Sequence, residues 1–389
     1  MHAKRLIPLS ALVALVAAGS AHAQTDFSFP WHHSSNLVFV MSNDIHDNKV
    51  AVLRRNFFGG LDKVGTASTG GKGVGVGTTA PPPDPLGSQN ALAVSNDGRL
   101  LFATNAGSNE VSVFAILGSR LQLVDVVPSG GTYPVSVAQR GNRLYVLNSA
   151  GTSTVTAFEI APIGRLVALP HETRVLGTNA PLVGNQPNVG MTPAQVQLTP
   201  DGRWLAVSVK DASAKGWFEL FAINRQGHLA NDPMVSPSND PQPFGFDFDG
   251  TGHLVTSQAA GSAASSYAVA SDGSLKAISA DVANGQKAAC WLTVAGGYAY
   301  TANAGTGTVS AYRIGRDGRL SLEQAVAGKL EAGAAPTDIK ASDDGAFVYV
   351  GNSLGGNVDT FLALPGGHLL KIGQTSVFAG ASGMQGLAL

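Results

Sequence analysis

The stretch QKAACWLTVAGGYAYTANAGTGTVSAYRI, residues 286–314, decides the fold. Residues 289–294 form an apolar run, and Gly296-Gly297 turns it. Residues 298–302 then alternate and stop at Asn303, and a second turn at 304–307 leads into 308–314. Arg316-Asp317-Gly318-Arg319-Leu320 starts a fourth run. Short segments rich in Val, Tyr and Thr, divided by glycine-containing turns, predict a meander of antiparallel strands.

The same unit recurs along the chain. Seven times an apolar strand ends at a polar residue: Asn43, Asn105, Asn148, Lys210, Gln258, Asn303 and Asn352. A second mark precedes each last strand, as in Gly60-Leu61, Gly164-Arg165-Leu166, Gly227-His228-Leu229, Gly318-Arg319-Leu320 and Gly367-His368-Leu369. Asp97-Gly98-Arg99, Asp201-Gly202-Arg203 and Asp344-Gly345 turn into the second strand. Units of four short strands, about 45–60 residues apart, have the period of propeller blades. The first unit begins at Asn36-Leu37 with its second strand, and SGMQGLAL at 382–389 resembles the inner strand GSQNALAV at 87–94. The reading is all-β: a seven-bladed propeller of four-stranded blades, closed by the C-terminal strand completing blade 1, which removes the free edges a linear sheet array would expose.

Composition agrees. Forty-eight glycines, twenty prolines and 13 % charged residues describe a turn-rich β protein. A length of 389 residues suggests two domains, but closed repeat folds exceed that prior. A net charge of −1 with no basic run argues against a nucleic-acid partner. Nothing points to an oligomer, so a monomer is expected.

Residues 1–23 combine a basic start (His2, Lys4, Arg5), an apolar run from Leu6 to Ala18, and Ala21-His22-Ala23 before Gln24. That pattern predicts a cleaved secretory signal and a single propeller domain over 24–389, periplasmic or secreted, without an integral membrane segment. Cys290 is the single cysteine, so no internal disulfide can form, and its apolar setting beside Trp291 predicts a buried thiol.

Two insertions, TGGKGVGVGTTAPPPDPL at 69–86 and HETRVLGTNAPLVGNQPNVGM at 171–191, join an outermost strand to the next inner strand. Both therefore enter on the face where the polar series ends, which makes that face the candidate for function.

Residues 87–113, 243–248, Ser265-Ser266-Tyr267 and 288–311 resemble the lactonase-type seven-bladed propeller family, whose members are similar to 6-phosphogluconolactonases and carboxymuconate cyclases. The resemblance covers nearly the whole chain after residue 23. It implies a small lactone or related cyclic ester bound at the mouth of the central channel. The family's enzymatic branch carries a histidine at the start of the fourth inner strand, a Gly-Pro-Arg-His-like motif opening the fifth blade, and a glutamate ending that blade's second strand. Here the matching positions hold Pro193-Ala194-Gln195-Val196, Asp240-Pro241-Gln242-Pro243 and Gln258. The family's histidine, arginine and glutamate are thus replaced by groups that do not titrate, whereas lactone chemistry of that kind uses an acid or base and a cation.

Other motifs have structural readings. Gly351-Asn352-Ser353-Leu354-Gly355 fits G-x-S-x-G, but a strand follows it where a nucleophile elbow needs a helix. The glycine run 70–77 leads into prolines and not into a helix, so it predicts a loop rather than a phosphate cradle. Asp44-Ile45-His46-Asp47 lacks a fourth metal ligand. His228, His253 and His368 sit in or beside hairpin turns and are expected to be solvated. No metal or cofactor is expected.

Two functions follow. The first is an exported lactonase-like hydrolase or isomerase. Lys210 would be its cation and Asp211 or Asp338 its base, with Asn105, Asn148, Gln195, Gln258, Asn303 and Asn352 as polar contacts and Trp291 and Phe244 walling the funnel. The alternative is a non-catalytic propeller binding a glycan, peptide or protein partner on the same face. The asparagine series fits either a ring of ligand-binding amides or a set of turn caps, since Asn tolerates left-handed backbone at strand ends.

Overall fold

A computed structural model describes residues 36–75, 84–380 and 383–389. Seven antiparallel sheets follow one another in chain order, each blade running from an inner to an outermost strand. Blade 6 holds the stretch that decided the reading: Ala289–Ala295, Tyr298–Asn303, Thr308–Ile314 and Leu320–Lys329. Blades 2, 4, 5 and 7 repeat it, with inner strands Leu92–Val94, Pro193–Leu198, Pro243–Phe248 and Pro336–Ala341. In blade 3 the inner strand Thr132–Arg140 pairs with the first half of Arg143–Ile160. That segment folds back at Gly151, since the Ile160 amide donates to Asn142 O at 2.8 Å.

Closure of the ring is as the sequence predicts. Leu387–Ala388 pairs with Leu37–Met41, so the C-terminal residues supply the inner strand of blade 1. The Met41 amide donates to Gly386 O and the Gln385 amide to Met41 O. The second strands are buried on both faces, as strands sandwiched between neighbouring blades should be: in Leu100–Asn105 and Tyr298–Asn303 all but the first residue are buried. Apolar side chains on the facing sides of adjacent blades make up the core, as where Phe102 and Val111 of blade 2 meet Val137, Val146 and Phe158 of blade 3.

Two local readings change. Residues 171–191 are not one loop. The outermost strand of blade 3 extends over Leu166–Ala180 with two breaks in register, and a short hairpin, Leu182–Val183 with Gln186–Pro187, follows it. His228 and His253 are not simply solvated either, because each bonds a carboxylate: Glu172 at 2.9 Å and Asp249 at 2.8 Å. Residues 1–23, with the predicted signal and the Gln24 start, lie outside the described residues. Among the described residues, no helix is long and apolar enough to cross a membrane, and no three His, Cys, Asp or Glu side chains gather into a metal-binding group.

Candidate functional site

The inner strands are laced to one another by side chains around the whole channel. Ser88 Oγ donates to Val135 O at 2.9 Å, and Ser136 Oγ accepts from the Val196 amide at 3.1 Å. Gln195 bonds both backbone groups of Phe246, at 2.7 and 2.8 Å. Asp247 accepts from the Val294 amide at 3.0 Å and Thr293 from the Ala341 amide at 3.2 Å. Asp338 accepts from the Leu387 amide at 2.9 Å, and Gln385 from the Leu86 amide at 3.1 Å, which completes the circle. A narrow inner strand has one unpaired edge facing its neighbour's, and a polar side chain satisfies that edge where backbone pairing is impossible.

The channel itself is occupied. From Pro85 to Ala91 every residue is buried. The Gln89 amide donates to Ala194 O in blade 4 at 3.0 Å, while the Gln89 side chain takes both backbone groups of Leu292 in blade 6, at 2.7 and 3.0 Å. A segment tied at once to blades 4 and 6 lies across the channel between them. Gly245 makes the passage possible, because a Cβ there would stand 2.0 Å from Gln89 Oε1. Trp291 Nε1 donates to Ser88 O at 2.8 Å, Tyr133 Oη to Pro85 O at 2.7 Å, and Gln385 Nε2 to Ser88 O at 2.9 Å.

Lys210 and Asp84 each bond Gly87 at the head of this plug. Lys210 Nζ donates to Gly87 O and stands 4.4 Å from the centre of the Phe244 ring, which in turn packs edge-on against Trp291 at 5.2 Å. Asp84 Oδ1 accepts from the Gly87 amide at 2.9 Å and from Gln385 Nε2 at 2.8 Å. Among the described residues no donor reaches its other oxygen. Burial pulls the Lys210 amine down to about 8, with the Asp84 charge opposing the fall. Burial pushes the Asp84 carboxyl up to about 6, with Lys210 opposing the rise. The Cys290 thiol is driven upward by the same burial. Two opposite charges with ordinary values far apart are thus drawn to either side of neutrality, the pattern of an acid–base site.

The other residues named from the sequence are dispersed. Asp338 is buried in the channel wall, and burial raises its carboxyl to about 7. Asp211 lies in an open loop, where the Ser213 hydroxyl and amide hold its carboxyl below the usual range. The amide series is engaged by protein partners in the same blade and in the neighbouring blade or connection, as where Asn105 accepts from Asn48 of blade 1 at 2.9 Å. Asn105 donates to Ser112 at 2.7 Å, Asn148 to Thr154 at 3.2 Å, Gln258 to Ser265 at 3.1 Å, and Asn303 to Ser310 at 2.9 Å. Asn352 accepts from the Ala335 amide at 3.0 Å and donates to Glu331 at 3.1 Å. The first four tie a second strand to its third strand, Asn352 ties its strand to the connection that precedes the blade 7 inner strand, and all five are 0 % exposed.

Sequence reasoning missed Asp84, Tyr133, Gln89 and Gln385. A signal existed for the first: Asp84 is the lone charge in Pro81-Pro82-Pro83-Asp84-Pro85, immediately before the first complete inner strand.

The description "Lactonase, 7-bladed beta-propeller" belongs to the family model that matches residues 29–183 and 270–384, and the chain is a member of that family. Among curated relatives, an uncharacterised protein of Staphylococcus aureus (strain N315) is 32 % identical over 89 residues, covering 22 % of this chain and 26 % of the relative. The chain therefore spans about a quarter of the length of the curated relatives it matches. Two solved structures share the fold. A putative 6-phosphogluconolactonase from Bacteroides fragilis NCTC 9343 has a TM-score of 0.68 at 17 % identity, over 92 % of this chain and 99 % of that one. The Pseudomonas aeruginosa periplasmic gluconolactonase PpgL has a TM-score of 0.68 at 16 % identity, over 90 % and 98 %.

Proposed function

We propose that this protein is a lactone hydrolase whose chemistry takes place beside Gly87, where Lys210 and Asp84 hold opposite ends of one peptide segment at the loop face of the channel. The observation that carries the reading is the pair itself: a buried ammonium and a carboxylate, one of whose oxygens meets no donor among the described residues, placed on either end of Gly87 in a lactonase-family propeller. Asp84, ionised above about pH 6, takes a proton from water as the water oxygen bonds to the lactone carbonyl carbon. Lys210, still protonated below about pH 8, stabilises the developing oxyanion. The ring C–O bond then breaks, and the proton held by Asp84 passes to the departing alkoxide oxygen, leaving a hydroxy acid. Asp338 and Gln195, which brace the ring, keep the wall in register. Export is part of the proposal and is supported by the leader pattern of residues 1–23.

A panel of sugar and alkyl lactones, assayed with the wild type, Asp84→Asn and Lys210→Met, tests it. Hydrolysis of at least one lactone, lost in both variants, is expected. A wild type inert to the whole panel sinks the hydrolase reading and favours the alternative of a binding propeller. One observation supports that alternative: the family's titrating positions are here Gln195, Gln242 and Gln258, and the first and last bond protein partners.

A further inference from the structure

The face opposite the loops carries the turns between third and outermost strands, and six of these are closed alike. An amide donates to the carbonyl four residues on: Asn56 to Gly60, Ala161 to Arg165, Asn224 to His228, Ala270 to Ser274, Gly315 to Arg319 and Leu364 to His368. The two residues at the tip can therefore be compared position by position. They are Pro162-Ile163, Arg225-Gln226, Ser271-Asp272, Arg316-Asp317 and Pro365-Gly366 in five blades, and Phe57-Phe58 in blade 1. Phe57 is 94 % exposed and Phe58 85 %, with their rings edge to face at 5.4 Å. The turn beneath them is pinned, because Gly59 lies against Phe347 and Ile372 of blade 7 so closely that a Cβ would stand 2.2 Å from Phe347 Cε1. Two aromatic rings thus stand in solvent on a constrained turn, where four of the other five tips carry polar residues, Pro or Gly and blade 3 carries a single exposed Ile163. A scattered surface leucine needs no explanation, but an adjacent pair of exposed aromatic rings does.

The same face carries a groove of about 780 Å³ between blades 2 and 3. Its apolar lining is Leu100, Ile116, Leu117, Leu123, Ile160 and Ile163, of which Ile163 is 80 % exposed. A cavity of this size takes a drug-sized ligand, more than two phenyl rings.

We propose that Phe57 and Phe58 of one copy seat in the blade 2–blade 3 groove of a second copy, forming a two-fold dimer through the hairpin-turn faces. A two-fold contact requires that one surface carry both complementary features. Knob and groove share one face, and a two-fold axis lying in the contact plane between them exchanges each for the other. Each phenylalanine buries about 150–250 Å², so four rings and the walls facing them come to roughly 1,200–2,000 Å², a standard specific interface. The loop face stays open on both copies, so this assembly stands or falls independently of the proposed hydrolysis.

Sedimentation velocity of the full chain across a wide concentration range tests this. The wild type should dimerise. Phe57→Ser with Phe58→Ser, and separately Ile163→Arg in the groove wall, should each weaken the dimer at least tenfold without moving the melting temperature. Mixing the two variants should restore a heterodimer, because one knob and one groove remain intact on opposite copies. A monomeric wild type, dimerisation unaffected by either variant, or failure of the mixture overturns the proposal. So does a monomer that binds anionic phospholipid vesicles through Phe57 and Phe58, which would assign the pair to a membrane surface.

Discussion

Lys210 and Asp84 grip opposite ends of one glycine: the ammonium takes the Gly87 carbonyl, and the carboxylate takes its amide at 2.9 Å. The two charges do not pair directly. They are held apart by a peptide segment that both of them fix, so the plug and the candidate site are one construction. Anything that displaces Gly87 disturbs both.

Gly87→Ala is the sharpest test of that coupling. Gly87 has φ +58°, and a Cβ there would meet Val189 Cβ at 2.7 Å and Lys210 Nζ at 3.0 Å. Strain of both kinds should lower stability by about 1–3 kcal/mol and reduce any lactonase activity in parallel. Urea unfolding and a lactone assay on the same preparation measure the two effects. An alanine variant with wild-type stability would mean that the plug does not hold this backbone.

Gln89→Ala should be costlier than an ordinary glutamine deletion. It leaves the Leu292 N–H and C=O without partners in the buried channel, at roughly 1–3 kcal/mol for each group. It also opens a cavity above Gly245. Chemical denaturation should show a loss at least as large as for Gln195→Ala, which uncouples neighbouring blades at Phe246 in the same manner.

Deleting residues 383–389 should weaken the whole fold and not fray one end. The deletion removes the Gln385 contacts to Asp84, Ser88 and Leu86, the Leu387 bond to Asp338, and the inner strand of blade 1. A free edge and apolar faces are exposed together. Differential scanning calorimetry should find the main transition itself lowered. An unchanged transition would show that blade 1 closes without this strand.

Stability should also follow pH in two windows of opposite sign. Asp84 and Asp338 are raised from 3.8 to about 6 and about 7, so the folded state holds their protons more tightly than the unfolded state. Their contribution is most favourable below about pH 4 and is lost as pH rises to about 7. Lys210 is lowered from 10.5 to about 8, so its burial penalty is present below pH 8 and relieved as pH climbs toward 10.5. Urea midpoints across pH, compared with Asp338→Asn, should show the acid-side slope reduced in the variant.

The fold was legible because blades repeat. Strand ends at Asn105, Asn303 and Asn352, and the Gly-x-Leu turns, recur about every 45–60 residues in units of four short strands, which is the pattern of propeller blades. The likeness of 382–389 to an inner strand even exposed the closure. The site was less legible, for a physical reason. Lys210 stood out as a departure from the series, but its partner Asp84 lies in an insertion with no repeat to compare against. Gln89 and Gln385 act across the channel, over distances in sequence that periodicity does not encode. Asp338 looked like a candidate base because a buried carboxylate and a laced backbone amide are indistinguishable until Leu387 is placed beside it.

The most discriminating prediction is the pH–rate profile of the proposed hydrolysis. Asp84 must be ionised to accept a proton from water, so kcat/KM should rise through about pH 6. Lys210 must stay protonated to stabilise the oxyanion, so the rate should fall again through about pH 8. Lys210→Met should lower kcat/KM by about two to three orders of magnitude, as loss of an oxyanion contact does, and should abolish the alkaline limb. Its melting temperature should move little, because replacing a buried cation by an apolar side chain of similar length relieves desolvation while losing the Gly87 bond. Asp84→Asn should remove the acid limb and leave the alkaline one in whatever activity remains. A profile governed by these two groups responds separately to each substitution. An unchanged bell in both variants would assign the chemistry to other residues and leave Lys210 and Asp84 as the fastening of the plug.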